Sequence, residues 1–260
     1  MVRVIVFGAG GRMGAEVCRA IAADPDCEVV AAVDPQYAGQ PLAQVASVDT
    51  DLTVLSEASP DARPDVAVDF TVADVAVGNI AWCIKNGVGA VVGTTGIPVE
   101  ELERLESLCE QKSGSVLIAP NFAIGAVLMM RFAELAAKWM PDTEIIELHH
   151  PGKADAPSGT ALSTASRIAA AREAAAADPK GNELVAGARG ADKEGVRVHS
   201  VRLPGLVAHQ EVIFGGLGQT LSIRHDTTDR TSFMPGVLLA VKRIGEVKGF
   251  TVGLEKVLGI

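Results

Sequence analysis

Between Glu147 and Ala161 the chain reads ELHHPGKADAPSGTA, which places His149, His150, Lys153, Asp155, Ser158, Gly159 and Thr160 within twelve residues. Imidazole titrates near neutral pH, and a lysine ammonium carries both a positive charge and a proton to give. A chain with only five histidines that sets two of them just upstream of a lysine has the groups to bind an anion and protonate it. Adjacent side chains on a strand point to opposite faces. The two imidazoles and the Lys153 amine therefore converge only if Pro151-Gly152 ends the strand and turns the chain. Further on, Ser158 is a natural N-cap with Pro157 ahead of it, and Gly159 and Thr160 occupy the first turn of an alanine-rich helical pattern. Backbone N–H groups there, with no side chain at Gly159 and a hydroxyl at Thr160, suit a carboxylate, although an ordinary capped helix start looks the same. Together these residues fit an acidic substrate that must gain a proton. A metal site at His149, His150 and Asp155 is the rival reading, disfavoured because a His-His pair usually points both ways.

A second set of residues suits a dinucleotide. Val2–Phe7 is a β-branched-rich strand pattern that runs into GAGGRMG and then a helical pattern, AEVCRAIAAD. Gly8, Gly11 and Gly14 recur every third residue, with Gly10 added. Such a turn lets backbone N–H groups approach a pyrophosphate, whose charge the helix N-terminus favours. A second strand pattern, CEVVAAVD, ends in Asp34, 20 residues beyond Gly14, where a ribose 2′-hydroxyl needs an acceptor. That acid favours NAD over NADP, while Arg12 in the turn could offset it by pairing with a 2′-phosphate.

Strand and helix patterns keep alternating. PDVAVDFT leads to a helix over 73–86, GAVVGTTG to the helix VEELERLESLCEQK, and SVLIAPNF follows. Alternation with short links predicts a parallel α/β sheet whose ligand lies beyond the carboxyl ends of its strands. Asp69-Phe70-Thr71, Gly93-Thr94-Thr95 and Ala119-Pro120-Asn121-Phe122 all sit at such ends. After Asn121 the period changes. A long helix leads to the strand DTEIIELHH, and VRVHSVRLPG and LVAHQEVIFGGLGQTLSIRHDT suit a mixed or antiparallel sheet, before a helical pattern returns beyond Thr231. The stretch from about Asp178 to Lys193 has no period and is expected to be an exposed excursion. His199, His209 and His225 stand singly in strands and are expected to be structural.

Composition excludes several classes. The formal net charge is −9 with no basic run longer than two residues, which argues against nucleic acid or an anionic membrane as partner. Cys18, Cys27, Cys83 and Cys109 have neither metal-site nor disulfide spacing and read as reduced, buried thiols. With no apolar segment long enough for a signal peptide or a span, a cytoplasmic location is expected.

GAGGRMG, GTTG, PNF and above all HHPGKADAPSGTA resemble the 4-hydroxy-tetrahydrodipicolinate reductase (dihydrodipicolinate reductase) family nearly end to end. The resemblance implies a Rossmann-type doubly wound parallel sheet over 1–122 and a smaller mixed α/β domain for substrate binding and tetramerisation over 123–230. A C-terminal segment, 231–260, is then expected to pack back on the first domain. It implies reduction of 4-hydroxy-tetrahydrodipicolinate to tetrahydrodipicolinate by NADH or NADPH, with loss of water, in the diaminopimelate/lysine pathway, by a homotetramer that holds no metal. By position, His149 resembles the family's proton donor/acceptor and Lys153 its other proton donor. His150, Gly159 and Thr160 resemble substrate contacts. Gly8, Ala9, Gly10, Gly11, Arg12, Met13, Asp34, Gly93, Thr94, Thr95, Ala119, Pro120, Asn121 and Phe122 resemble cofactor contacts. Pro35 stands where some members carry a basic residue after the acid, and NADH is favoured on Asp34. Two other classes are considered. A semialdehyde dehydrogenase would need a nucleophilic cysteine at a helix start, whereas Cys109 lies inside a helical run; a non-catalytic dinucleotide sensor would have no use for His149 and Lys153.

Overall fold

The structure is a computed structural model and describes residues 1–173 and 182–260. It divides into two compact units, one built from Met1–Ala123 with Arg230–Ile260, the other from Ile124–Asp229.

The first unit holds six parallel strands in the order β11-β5-β4-β3-β1-β2, where β1 is Val2–Phe7, β2 Cys27–Val33, β3 Val66–Asp69, β4 Gly89–Val92, β5 Ser115–Ile118 and β11 Gly249–Val252. Its helices are α1 (Arg12–Ala23), α2 (Leu42–Ala46), α3 (Ala73–Asn86), α4 (Val99–Lys112), α7 (Met234–Arg243) and α8 (Glu255–Leu258). Val4, Ile5 and Val6 are fully buried, as expected of a parallel strand covered on both faces. From β1 the chain steps to β2 on one side and then returns to β3 on the other. The sheet thus has a switch point between β1 and β3, where the loops after their carboxyl ends part and leave a crevice. Helix ends follow local chemistry: Gly87 closes α3 with φ +69°, its N–H donating to the Cys83 and Ile84 carbonyls.

The second unit is a five-stranded mixed sheet, β10-β9-β6-β8-β7, packed with α5 (Ile124–Ala137) and α6 (Gly159–Ala171). β6 (Asp142–His149) is central, antiparallel to β9 (Ala208–Gly216) and parallel to β8 (Val196–Arg202). β10 (Gln219–Thr227) and β7 (Ala191–Lys193) form the edges. Along β6, Thr143, Ile145 and Glu147 are buried while Glu144 and Ile146 are less so, which puts a carboxylate on the core face at Glu147.

The structure differs from the sequence patterns in detail. The strands end at Val33, Asp69, Val92 and Ile118, short of Asp34, Thr71, Gly96 and Phe122, because pairing stops where the sheet's ladder does. Part of the stretch expected as an excursion is the edge strand β7; residues 178–181 of that stretch lie outside the described residues. Among the described residues no helix is long and apolar enough to cross a membrane.

Candidate active site

In the first unit the glycine turn is built by close approach. Gly8 adopts φ +75°, and a Cβ there would lie 2.8 Å from the Phe70 carbonyl oxygen. A Cβ on Gly14 would meet the Gly8 carbonyl oxygen at 1.9 Å, and one on Gly10 would enter the Tyr37 ring at 2.1 Å. Gly11 is the N-cap of α1 with no side-chain cap, so the first-turn N–H groups at Arg12 and Met13 remain for an anion. Asp34 accepts from the Gly10 N–H at 3.0 Å and the Gln36 N–H at 3.1 Å, which ties the turn to the end of β2. Gly8, Gly10, Gly11 and Asp34 line an open cleft of about 650 Å³ with Tyr37, Glu57 and Trp82. Gly11, Arg12, Met13, Gly93, Thr94 and Thr95 line a smaller one, with Phe70 and Thr71 bordering both.

Beneath these loops Asp69, 2% exposed, accepts from the Thr71 N–H and hydroxyl, the Asn79 amide and the Thr94 hydroxyl at 2.7–3.0 Å. One buried carboxylate therefore staples the loops after β3 and β4 together. The Thr94 hydroxyl proton is committed to that bond. Ala9 is buried and donates its N–H to Val33 O. Ala119 and Phe122 are buried too, with the Phe122 ring 5.7 Å from that of Phe70; Pro120 is exposed, and the Asn121 side chain accepts from the Ala123 N–H. None of Ala119, Pro120, Asn121 and Phe122 lines either cleft. The cradle fits a dinucleotide: glycines clear the backbone, an uncapped helix start awaits a pyrophosphate, and a carboxylate sits at the end of β2.

In the second unit β6 delivers His149 on the same face as Glu147, while His150 follows the strand and is exposed. The Glu147 carboxylate is fully buried. It takes both Arg202 Nη groups at 2.8 Å, the Ser158 N–H at 3.2 Å and His149 Nδ1 at 2.5 Å. Burial pushes the Glu147 carboxyl up, but donors from Arg202, Ser200 and His149 outweigh it and hold the carboxyl below its usual range. Burial pushes His149 down. Glu147 pulls it back up, and the charges of Lys153 and Arg202 lower it again, leaving it below its ordinary value. His149 is therefore neutral near pH 7, and its contact with Glu147 is a hydrogen bond from imidazole to carboxylate rather than a full ion pair.

Lys153 sits in the turn after β6, its N–H donating to the His150 carbonyl and its ammonium to Asp155 Oδ1 at 2.7 Å. Ser158 caps α6, its hydroxyl accepting from the Ala161 N–H at 3.1 Å. Gly159 is exposed, and a Cβ there would meet nothing within 4 Å, so this helix start is open. The structure thus places the strand end, the lysine turn and the open helix start around one carboxylate.

Glu147 and Arg202 escaped the sequence reading. The signal for Glu147 was period two: it lies two residues before His149 on a strand whose same-face neighbour Ile145 is core. Arg202 had no local signal, since its place opposite His149 comes from the β6–β8 register. Among the described residues no three His, Cys, Asp or Glu side chains gather as a metal site. His199 bonds Glu144, His209 bonds Asp226, and the His225 ring lies where a Gly125 side chain would project. All four thiols are buried; burial drives Cys18 up to about 12 and raises Cys109, the opposite of a nucleophile's needs.

Comparison with known proteins identifies the family. The model of the dihydrodipicolinate reductase N-terminus matches residues 2–122 and that of its C-terminus residues 125–258. The chain is 49% identical over 261 residues to the 4-hydroxy-tetrahydrodipicolinate reductase of Moorella thermoacetica, covering 99% of this chain and 98% of that protein. It is 51% identical over 260 residues to that of Mycobacterium marinum, covering 99% of each. A solved dipicolinate-bound dihydrodipicolinate reductase from Paenisporosarcina sp. TG-14 superposes with TM-score 0.89 at 41% identity, over 98% of this chain and 99% of that one. An amine dehydrogenase from Mycobacterium smegmatis, at 15% identity and TM-score 0.68, shares the fold alone. The chain belongs to the dihydrodipicolinate reductase family and is a pyridine-nucleotide oxidoreductase.

Proposed function

We propose that this chain carries out the reaction for which its relatives are named through His149 and Lys153: reduction of 4-hydroxy-tetrahydrodipicolinate to tetrahydrodipicolinate with release of water. Bound NAD(P)H supplies a hydride. The chain must supply the matching proton, hold a cyclic dicarboxylate and hold the dinucleotide. The observation that carries the reading is the group at the end of β6, where a neutral, oriented imidazole and an ammonium accompany an open helix start.

Gly159 and Thr160 bind one carboxylate of the substrate through first-turn N–H groups and the Thr160 hydroxyl, and His150 and Lys153 attend the other. Water loss and ring reduction leave electron-rich enamine character that takes up a proton; Lys153 gives it, and His149 Nε2 relays protons to and from the ring. In the first unit, the backbone at Gly8, Ala9, Gly10, Gly11, Arg12 and Met13 holds the pyrophosphate, Asp34 the adenosine ribose, and Gly93 to Thr95 with Ala119 to Phe122 the nicotinamide half. Asp34 and Glu57 line the larger cleft, which supports NADH over NADPH because a 2′-phosphate would add charge beside carboxylates. Arg12 lines the smaller cleft, so it is poorly placed to offset them. Assembly as a homotetramer is supported by exposed Phe132 and Leu135 on α5, Trp139 in the turn that follows it and Leu221 on β10.

The test is NADH oxidation, compared with NADPH, on the freshly formed condensation product of pyruvate and aspartate semialdehyde. His149→Gln and Lys153→Ala should each lower kcat by about 10²-fold or more with NADH affinity retained. Full activity in both variants would remove the assignment.

A further inference from the structure

We propose that Glu147 is the positioning residue of this site: its carboxylate fixes His149 in the Nδ1–H tautomer and, through the Ser158 N–H, holds the open end of α6 in register with that imidazole. The inference deepens the reading above and rests on His149 being the proton carrier.

A carboxylate is an odd choice at this place. Ile145 precedes it on the same face of β6 and is fully buried, as Glu147 is. A buried charge persists only where charged and hydrogen-bonding partners compensate it, and here those partners converge from three elements. Arg202 on β8 donates Nη1 to Oε2 and Nη2 to Oε1, each at 2.8 Å, and the two-point fork keeps the carboxyl ionised. An ionised carboxylate only accepts. The proton in the Oε2–Nδ1 contact must therefore belong to His149, and the neutral ring is left with its lone pair on Nε2. Oε1 meanwhile accepts from the Ser158 N–H, and the Arg202 fork also reaches the Asp155 carbonyl at 2.7 Å. One pair of side chains thus pins the imidazole, the Lys153 turn and the N-cap of α6. A carboxylate with a merely structural ion-pair role would need Arg202 alone.

The charged groups facing the imidazole are Glu147 on its own strand, Arg202 on β8 and Lys153 in the following turn, with Asp155 holding Lys153. Glu147 is the one that hydrogen-bonds it. Replacing it by Gln puts an amide opposite Nδ1 that can donate, which reverses the preferred tautomer and places the ring proton on Nε2.

Nitrogen-15 spectra of histidine-labelled full-length protein, assigned with His149→Gln, read the tautomer directly. Above its titration His149 should show a protonated Nδ1 and a bare Nε2 in the native protein; the reverse overturns the proposal without need of a variant at Glu147. Glu147→Gln should switch the tautomer, lower kcat by about 10²-fold and displace the pH profile, with NADH binding intact, and Glu147→Asp should restore part of each. Loss of thermal stability with an unchanged profile and unchanged kcat per folded molecule would reduce Glu147 to a structural ion pair and overturn the proposal. If the native protein does not turn over the substrate, the functional reading fails, while the spectra still decide the tautomer.

Discussion

His149 carries two opposed demands, and its surroundings resolve them in favour of the neutral ring. Burial is the largest influence and lowers its proton affinity, Glu147 raises it, and the Lys153 and Arg202 charges lower it again. A bound dicarboxylate brings negative charge to the same place and must raise it. Because the neutral ring with its bare Nε2 is the working form, kcat/KM falls as pH drops through the free-enzyme value, which lies below the ordinary 6.5. The matching limb of kcat then lies at higher pH, because it reports the complex. Paired pH profiles check this; coincident limbs would mean that the substrate's carboxylates do not reach His149. Stability has its own sign. A histidine lowered on folding takes up its proton in the unfolded chain first, so stability declines as pH falls below about 6.5, and Glu147, also lowered, adds a loss at still lower pH. At this scale the sequence displayed His149, Lys153 and Ser158, whose types and spacing are local, whereas Glu147 looked like one polar residue in a mixed strand and Arg202 was 53 positions from the histidine it faces.

The cofactor cradle is an element property, because its glycines are explained by what stands against them. Gly14 abuts the backbone at Gly8, where nothing can yield, whereas Gly10 abuts the Tyr37 ring, which can swing aside. Gly14→Ala should therefore destabilise the first unit by about 1–3 kcal/mol as an overpacking substitution. Gly10→Ala should fold nearly normally but weaken NADH binding, since the displaced ring enters the cleft that both residues line. Removing the ring in Gly10→Ala/Tyr37→Ala should recover binding. Calorimetry and NADH titration separate the two cases, and equal loss of stability in both single variants would contradict the distinction. The sequence pattern located this strand–turn–helix because hydrophobic period and glycine spacing are local signals. It did not reveal Tyr37, which reaches Gly10 from beyond β2, nor β7 and β11, short strands of three and four residues recruited by backbone pairing to β8 and β5. It also passed over Gly236 on α7, whose missing Cβ admits the Phe122 carbonyl oxygen at 2.0 Å.

At the scale of the whole molecule, binding duties separate along the chain's own division. The residues proposed to hold the dinucleotide lie in the unit that the C-terminal segment rejoins through β11, and those proposed for acid–base chemistry lie in the segment inserted between its two parts. With a net charge of −9 the molecule as a whole repels anions, so each ligand must be held by local N–H groups and a few cations rather than by the overall field. Each ligand given alone should then protect its own backbone. NADH should slow amide hydrogen exchange around Gly8 to Gly14, and dipicolinate, the dicarboxylate held by the Paenisporosarcina relative, should slow it from His149 through Ala161. At about 100-fold excess over Kd the stabilisation is worth about 2.7 kcal/mol, enough to read by exchange. His149→Gln should leave the NADH footprint unchanged. Substituting Ser158 by Ala should weaken the dipicolinate footprint, because the cap that orients the first turn of α6 is lost. Dipicolinate that protects the glycine turn but not residues 158–161 would place the dicarboxylate in the first unit and remove the case for α6 as its anion site.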